Sequence, residues 1–533
     1  MVLGFASLRA GHIFMVLGFA SLYAAYFFIV IDFASLYAEA QRVALATMNA
    51  AFGRCPDDAT WRDFCTYLLR GRWATKMLAG HRLQDEAGWR AKFERFWEQY
   101  RSVDPQCPVF QDHGGSLGTC IPVLLHGDEG VGHRRRPVMQ ISFGPLLEVG
   151  KEALNRLFLL TTCPSKLCSK YNTGTAAVNP VIDRLLEEVA RSMRSCYLAG
   201  VVTDVARFYI VCIGLSGDHI FQSKAFRCNR HHTRNAVCPL CLANTTDMPF
   251  EDVEVEDALW TRTVYTSLPW SRPPPLQGIP GATRPWFIQF DLMHVLPHGC
   301  GRTYIASVIA MMCGPLNLFR GNNKAERMHD AYTYFLAFCE AKHLFPRDMQ
   351  EFTPENFAWK YNRNFPEIGC KAADCNMLFQ RVIDFLSSTP PEWTEPLQWT
   401  YMGCCGFDDF CRLCYRSSDR VFWSRDEARK GYGYLRVFLR SYKALAFHWH
   451  KEGWTLYNIV PKMHFACHWL YSLHLFLQSE ELWTINPGAF ATPLMEDFIG
   501  VCSRIARTSH PTSVAITTIR KYLVETRRAW RSD

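Results

Sequence analysis

Charged residues are scarce in this 533-residue sequence, at 20% of the total, whereas hydrophobic residues make up 49%. That balance excludes an intrinsically disordered chain, which combines low hydrophobicity with high net charge. The 22 cysteines lack the dense, regular spacing of a small secreted scaffold, so we expect mostly reduced, buried thiols. The net charge of +8 permits a polyanionic partner without requiring one. The length suffices for two to four domains, or for one catalytic core with a large insertion.

The N-terminal segment lacks charge altogether over a long stretch. No Asp, Glu, Lys or Arg occurs between Arg9 and Asp32, and the apolar residues 13–31 could span a bilayer. They are too numerous for the apolar core of a typical signal peptide. Within residues 1–37 the tetrapeptide FASL occurs three times at intervals of 14 residues, about four helical turns. Two hypotheses follow: a membrane anchor, or a tandem duplication or wrongly extended gene model.

Hydrophobic periodicity divides the remaining chain into four regions. Residues 38–114 are predicted to be helical, and residues 115–241 to combine strands and helices. Residues 242–480 are predicted to be a proline-rich linker followed by a mostly helical insertion. Residues 481–533 are predicted to hold a helix starting near Pro493 and a basic C-terminal tail.

The α/β region has a particular order of elements. Apolar runs predict strands, and an amphipathic stretch with Pro180 in its first turn and Gly200 at its end predicts a helix. The strands are expected at 121–128, 137–143, 156–162 and 206–218, and the helix at 179–200. Three strands, a helix and a strand are the opening of a ribonuclease H-like domain, so we predict an α/β fold with a mixed sheet.

Two aspartates follow apolar strand patterns. Asp128 is expected at the end of the first strand and Asp218, after Gly217, at the end of the fourth. If these strands are parallel neighbours, the two carboxylates meet, and they repel each other unless a cation lies between them. Hard oxygen ligands favour Mg²⁺ or Mn²⁺. The alternative interpretations are an ordinary turn aspartate and a helix N-cap.

Cysteine and histidine pairs indicate zinc. The CxxC motif Cys238–Cys241 is a usual half-site, because two thiolates on one tight turn can share a tetrahedral ion. His464 and His468 are four residues apart, so on a helix they share one face and can supply another half-site. The alternatives are buried cysteines and surface histidines. A further group could form a second metal site, although we favour buried thiols there: Cys404, Cys405, Cys411 and Cys414.

Six short motifs, taken in order, resemble those of the CACTA and Plavaka-type (EnSpm-like) cut-and-paste DNA transposases. The resemblance covers about residues 115–515. The motifs are Asp128, Gly217-Asp218, Cys238-x-x-Cys241, Asp291-x-x-His294, Lys462-x-His464-x-x-x-His468 and Glu496. Each motif alone is weakly specific, and the resemblance lies in their order.

The resemblance implies a ribonuclease H-like catalytic core that cuts and joins DNA. Asp128, Asp218 and Glu496 would hold two Mg²⁺ or Mn²⁺ ions as catalytic cofactors. A nuclear protein that binds DNA and forms a homo-oligomer when active is then expected.

The resemblance also implies that the cysteine and histidine pairs bind a single structural zinc ion together. Its ligands would be Cys238, Cys241, His464 and His468. The alternative zinc ligands, close to the CxxC motif in sequence, are Cys228, His231 and His232.

Clustered basic residues are candidates for phosphate contacts. They are Arg134, Arg135, Arg136, Arg504 and Arg507. The sequence shows no obvious N-terminal zinc finger or helix-turn-helix, which full transposases usually have. Two other hypotheses therefore stand beside the enzyme: a catalytically inactive, transposase-derived protein that binds DNA or protein, and a membrane-anchored zinc protein.

Overall fold

The computed structural model describes most of the chain, namely residues 61–147, 152–166, 179–388, 392–417, 419–510 and 513–532. The N-terminal apolar repeat, with its predicted membrane anchor, and the start of the helical region 38–114 lie outside the described residues. Within the described residues, no helix combines the length and the apolar character needed to cross a membrane.

The described residues form a five-stranded mixed sheet and a separate two-stranded sheet. The strands are β1 (Cys120–Val131), β2 (Pro137–Pro145), β3 (Phe158–Pro164), β4 (Val201–Val202), β5 (Arg207–Gly217), β6 (Phe422–Ser424) and β7 (Trp483–Ile485). The larger sheet has the order β3-β2-β1-β5-β4, in which β1 and β5 are parallel and the other pairs are antiparallel. Strands β6 and β7 form the smaller sheet. The α/β class and the four predicted strands are confirmed, and the short β4 is an addition.

Fourteen α-helices occur in the described part of the chain. They are α1 (Trp61–Arg70), α2 (Glu86–Val103), α3 (Pro108–Asp112), α4 (Pro180–Leu198), α5 (His219–Ala225), α6 (Leu292–Val295), α7 (Arg302–Cys313), α8 (Lys324–Ala341), α9 (Ala372–Ser388), α10 (Glu395–Arg416), α11 (Arg425–Lys451), α12 (Lys462–Gln478), α13 (Pro493–Arg507) and α14 (Val514–Ser532).

Helix α4 begins and ends where its sequence predicts. The side chain of Asn179 accepts hydrogen bonds from the backbone N–H groups of Val181 and Ile182, at 3.1 and 3.3 Å. Pro180 occupies the first turn, where its missing N–H has no consequence. Gly200, with φ of +64°, provides the left-handed conformation that stops the helix. The helix crosses from β3 to the far edge of the sheet, so the chain can return as β5 beside β1.

The long segment between β5 and α13 is mostly helical, as predicted. Residues 242–285 contain only short 3₁₀ helices and turns, as expected of a proline-rich linker. Beyond it, α7 and α9–α12 pack around aromatic side chains. The rings of Phe379 and Phe407 stack with centroids 3.7 Å apart, which joins α9 to α10.

The two C-terminal helices pack on the sheet. Helix α13 lies against β1 and β2, where Gln140 Nε2 donates a hydrogen bond to Ser503 Oγ at 3.2 Å. A Cβ atom at Gly130 would lie 2.0 Å from Ser503 Oγ, so glycine is needed at this approach. The basic tail predicted after α13 is instead the ordered helix α14. It is fixed to β3 because Tyr522 is buried, donates to the carbonyl of Leu157 and accepts from the N–H of Leu159.

Candidate functional site

A group of four buried ligands brings together two distant parts of the sequence. One ligand atom from each of Cys238, Cys241, His464 and His468 lies within 4.8 Å of the others. Cys238 Sγ is 3.2 Å from His468 Nε2, and Cys241 Sγ is 3.1 Å from His464 Nε2. Two thiols and two imidazoles at these separations could hold a tetrahedral zinc ion. The predicted grouping of these four residues is therefore confirmed.

Local structure positions both halves of the group. After each cysteine the chain turns back, so the backbone N–H of Leu240 points to Cys238 Sγ at 3.3 Å, and that of Ala243 to Cys241 Sγ at 3.4 Å. Such N–H groups stabilise thiolates. The two histidines lie one turn apart on α12, on the face that meets the cysteine turn.

Neighbouring groups orient the histidine rings. His464 Nδ1 is 3.0 Å from the carbonyl oxygen of Phe250, so it carries the proton and leaves Nε2 free as a ligand. The Trp260 ring contacts both imidazoles, with centroids 4.7 Å from His464 and 4.9 Å from His468. The fixed tautomer and the packed rings indicate a preformed structural site.

The two thiols have opposite pKa shifts. Burial and the neighbouring Cys241 raise the pKa of Cys238, whereas hydrogen bonds from Cys238, His464 and His468 outweigh burial at Cys241 and lower its pKa. The hydrogen bonds to Cys241 thus stabilise a thiolate in this cluster. A thiolate is the form of cysteine that binds zinc.

The alternative zinc ligands lie elsewhere. Cys228, His231 and His232 do not belong to the four-ligand group, and His231 instead contacts Thr233 through Nδ1 at 2.9 Å. The zinc site confined to residues near the CxxC motif is therefore not formed. The cysteines of α10 likewise form no metal group among the described residues, and Cys404, Cys411 and Cys414 are buried thiols, as favoured.

The two aspartates lie at one edge of the larger sheet. Gly127 of β1 pairs with Gly217 of the parallel strand β5, so Asp128 and Asp218 follow at the same level. Gly217 has φ of +137°, and a Cβ there would lie 2.5 Å from the Gly127 carbonyl oxygen, so the close approach requires glycine. The prediction that β1 ends at Asp128 is wrong, because the β1–β2 hairpin continues to pair as far as Val131.

Asp218 combines two of the predicted roles. Its Oδ1 accepts the N–H of Phe221 at 2.6 Å and so caps α5, as the alternative interpretation states. Burial and then the charge of Asp128 raise the pKa of the same carboxyl group. An N-cap aspartate is thus also a member of an acidic pair.

Helix α13 brings Glu496 to these aspartates. Burial, the charge of Asp128 and a hydrogen bond with Asp128 raise the pKa of Glu496 to about 9. Its Oε1 atom is buried without a hydrogen-bond partner, 3.9 Å from His294 Nε2. The structure therefore brings the three predicted acids close enough for the charge of Asp128 to act on the other two.

The raised pKa of Glu496, caused first by burial and then by Asp128, predicts a pH-dependent stability in magnesium-free buffer. Because the folded-state pKa of Glu496 is raised, this residue contributes to the free energy of unfolding. The contribution is fully present below the ordinary pKa of 4.5 and is lost as the pH rises towards about 9. We expect the melting temperature in magnesium-free buffer to fall across this window, and Glu496→Gln to flatten the fall. Thermal melts from pH 5 to 9 measure it. An equally steep fall in the variant would contradict the assignment to Glu496.

The motif Asp291-x-x-His294 supports the glutamate helix. Asp291 is fully buried; it accepts hydrogen bonds from Thr492 N at 2.9 Å and Thr492 Oγ1 at 2.6 Å, and it contacts His294 Nδ1. Thr492 is the residue before α13, so Asp291 fixes the start of the helix that carries Glu496. The sequence indicated Asp291 and His294, but nothing in it indicated Thr492.

Replacement of Thr492 tests this support. Thr492→Val keeps the shape but removes the hydroxyl donor to a buried carboxylate, so we expect a loss of about 1.5–3 kcal/mol in the free energy of unfolding. The matched control is Thr518→Val, because the buried Oγ1 of Thr518 has no hydrogen-bond partner in the described structure. Urea denaturation measures both. Equal effects of the two substitutions would show that Asp291 gains nothing from Thr492.

Two basic side chains complete the surroundings of the acids, and the sequence did not single out either role. Lys462, at the start of α12, is partly buried. Its pKa is lowered by burial and by Arg302, while Asp218 and Asp291 act in the opposite direction. His126 lies two residues before Asp128 on β1, and burial lowers its pKa to about 4. The Lys-x-His motif is the sequence signal that could have indicated a role for Lys462.

The candidate phosphate contacts lie at the surface. Arg134, Arg135 and Arg136 are exposed in the β1–β2 turn. Arg504 and Arg507 are exposed near the end of α13, and Arg507 Nε donates to the carbonyl of Val131 at 3.1 Å. The hairpin turn and the end of α13 thus form one basic edge.

The two clusters differ in compactness. Among the described residues, only the cysteine–histidine group brings three or more ligand atoms within 4.8 Å of one another. The carboxylate oxygen atoms of the three acids are not all within that distance of one another. A scan of protein-family models finds none that matches this chain, and a search of curated proteins finds no match either.

Proposed function

We propose that this protein is a metal-dependent DNA-cutting and DNA-joining enzyme with a ribonuclease H-like core, similar to the CACTA and Plavaka-type transposases. The observation that carries the proposal is the approach of Asp128, Asp218 and Glu496 from β1, the start of α5 and α13. Burial and then the charge of Asp128 raise the pKa values of Asp218 and Glu496. Perturbed carboxyl groups of this kind are characteristic of functional sites.

The acidic residues fit divalent cations. Glu496 Oε1 is buried without a hydrogen-bond partner, and burial and the neighbouring carboxylates raise the pKa of Glu496. Oxygen ligands that repel one another favour a hard cation such as Mg²⁺ or Mn²⁺. Such ions supply an activated water or 3′-hydroxyl and stabilise the leaving oxygen during phosphodiester cleavage.

The protein's own residues contribute position and charge. Asp291 and Thr492 fix the start of α13, which holds Glu496 opposite Asp128. The exposed arginines of the β1–β2 turn and the end of α13, which form one basic edge, would bind phosphates of the DNA backbone. A zinc ion bound by the cysteine–histidine group would connect the segment after β5 to α12, the helix before α13.

A nicking assay tests the proposal. Supercoiled plasmid and duplexes with the terminal sequences that flank the gene are incubated with Mg²⁺, Mn²⁺ or Ca²⁺. We expect nicks or strand joining with Mg²⁺ and Mn²⁺ and none with Ca²⁺. If the protein binds these duplexes but cleaves them with none of the three ions, the proposal that it is an enzyme is overturned.

The second candidate is a catalytically inactive binding protein derived from such an enzyme. One observation favours it: the three acids are less closely grouped than the zinc ligands. It predicts salt-sensitive DNA binding in the same assay, because released counterions drive association, and no cleavage.

A further inference from the structure

An acidic segment after the cysteine turn lies on a basic stripe of helix α11. The basic stripe consists of Arg436, Arg440 and Lys443, which share one face because they are four and three residues apart. The acidic segment, residues 247–257, contributes Asp252, Glu254 and Glu256. Every cation of the stripe has an acidic partner in this segment.

The pairing uses several short contacts. Arg436 Nη2 is 3.0 Å from Glu256 Oε1 and 4.0 Å from Glu254, and Arg440 Nη2 pairs closely with the same Glu254. Lys443 Nζ is 3.9 Å from Asp252, and Tyr432 OH donates to Glu256 at 2.7 Å.

The ion pairs are partly open to solvent. The six charged side chains are between 32% and 46% exposed, so water and salt screen the attraction between them. Arg436 makes both of its ion pairs through one nitrogen, and its buried Nε has no hydrogen-bond partner. A competing anion could therefore replace the segment at small cost.

We propose that the basic stripe of α11 is a binding surface for the phosphate backbone of duplex DNA, and that residues 247–257 occupy it as an internal competitor. The choice of DNA as the partner of the stripe rests on the proposed function. The stripe spans about 10 Å along the helix. One DNA strand presents a phosphate about every 3.4 Å along its axis, so three cations over that length match about three phosphates.

The position of the acidic segment adds a structural link. Phe250 belongs to the segment, and its carbonyl contacts His464 of the zinc group at 3.0 Å. The segment is thus held by the zinc group and by the buried side chains of Val253 and Val255, while its acidic side chains remain on the surface. Displacement of the side chains by DNA does not require the cysteine turn to move.

Charge-neutralising variants test the proposal by DNA binding alone. All are made with Asp128→Ala, so that DNA is not cut and a failure of the enzyme proposal stays separate. Asp252→Asn, Glu254→Gln and Glu256→Gln together should bind a duplex at least about tenfold more tightly at low salt. They should also steepen the salt dependence of log K by roughly 2 to 3, because about three more phosphates are contacted.

The control makes the same charge change in the same segment. Asp247→Asn, Glu251→Gln and Asp257→Asn replace acids that form no ion pair with α11 in the described structure. This triple variant should gain less than about threefold. An equal gain in both triple variants would overturn the proposal, because net charge alone would explain it.

A second step asks whether the stripe itself makes the contact. Adding Arg436→Gln, Arg440→Gln and Lys443→Gln to the neutralised segment should abolish the gain, and a gain that persists would overturn the proposal. So would a gain for heparin without one for duplex DNA. Should the triple variant melt early, Glu254→Gln alone should still bind about threefold more tightly, since Glu254 contacts two arginines of the stripe.

Discussion

Asp128→Ala should lower the rate of metal-dependent DNA cleavage by about 1000-fold, the scale of losing one main electrostatic contact in an active site. Asp128 is the acid whose charge acts on both Asp218 and Glu496, so its removal takes away the centre of the cluster. DNA binding should persist or tighten, because a carboxylate that repels phosphate is gone. Single-turnover cleavage and fluorescence anisotropy measure the two effects.

The adjacent residue provides the control. Glu129 is the next acid on β1, and it pairs with Lys224 at 3.0 Å on the surface. Successive residues of a strand point to opposite faces, so Glu129→Gln changes the same charge away from the cluster. We expect near-normal cleavage from it. Equal cleavage by wild type and Asp128→Ala would decide in favour of the inactive binding protein.

Loss of the zinc group should have the largest effect on stability. Cys241→Ser or His464→Ala should remove the bound metal and lower the free energy of unfolding by more than about 4 kcal/mol, because structural zinc contributes folding energy directly. Metal analysis of the purified protein should find about one zinc per chain, and a chelator should lower the melting temperature.

The cysteine and histidine residues that lie near the CxxC motif but outside the four-ligand group serve as controls for zinc binding. Cys228→Ser and His231→Ala replace the same residue types close to the CxxC motif but outside the four-ligand group. Both should retain zinc. Loss of zinc from these variants, with zinc retained in His464→Ala, would assign the metal to the local alternative instead.

The sequence predicted the elements of the sheet well because its signals are local. Apolar runs, Asn179 and Pro180 before α4 and Gly200 after it are read directly from neighbouring residues. The parallel pairing of β1 with β5 brings Asp128 and Asp218 together as expected. The extension of β1 to Val131 was not foreseen, because hairpin pairing with β2 continues through a stretch rich in glycine and charge.

The candidate site was predictable only in part, since its supporting contacts join residues far apart in the chain. Thr492 and Asp291 are separated by 201 positions, and neither belongs to a pattern that indicates the other. Lys462 is close to the predicted histidines in sequence, but its approach to Asp218 depends on how α12 packs. The ion pairs between the acidic segment and α11 have the same origin: two ordinary charged surfaces that meet only in the fold.

The cysteine–histidine group also changes the entropy cost of closing a long loop during folding. Asp218 and Glu496 are 278 positions apart. With Cys238 joined to His468 through a zinc ion, the flexible path between the two acids shortens to about 50 residues. Because loop-closure entropy grows with the logarithm of length, the shorter path lowers the cost of bringing the acids together by roughly 1.5 kcal/mol. The intervening helices can then vary in length with little effect on how readily the acids meet.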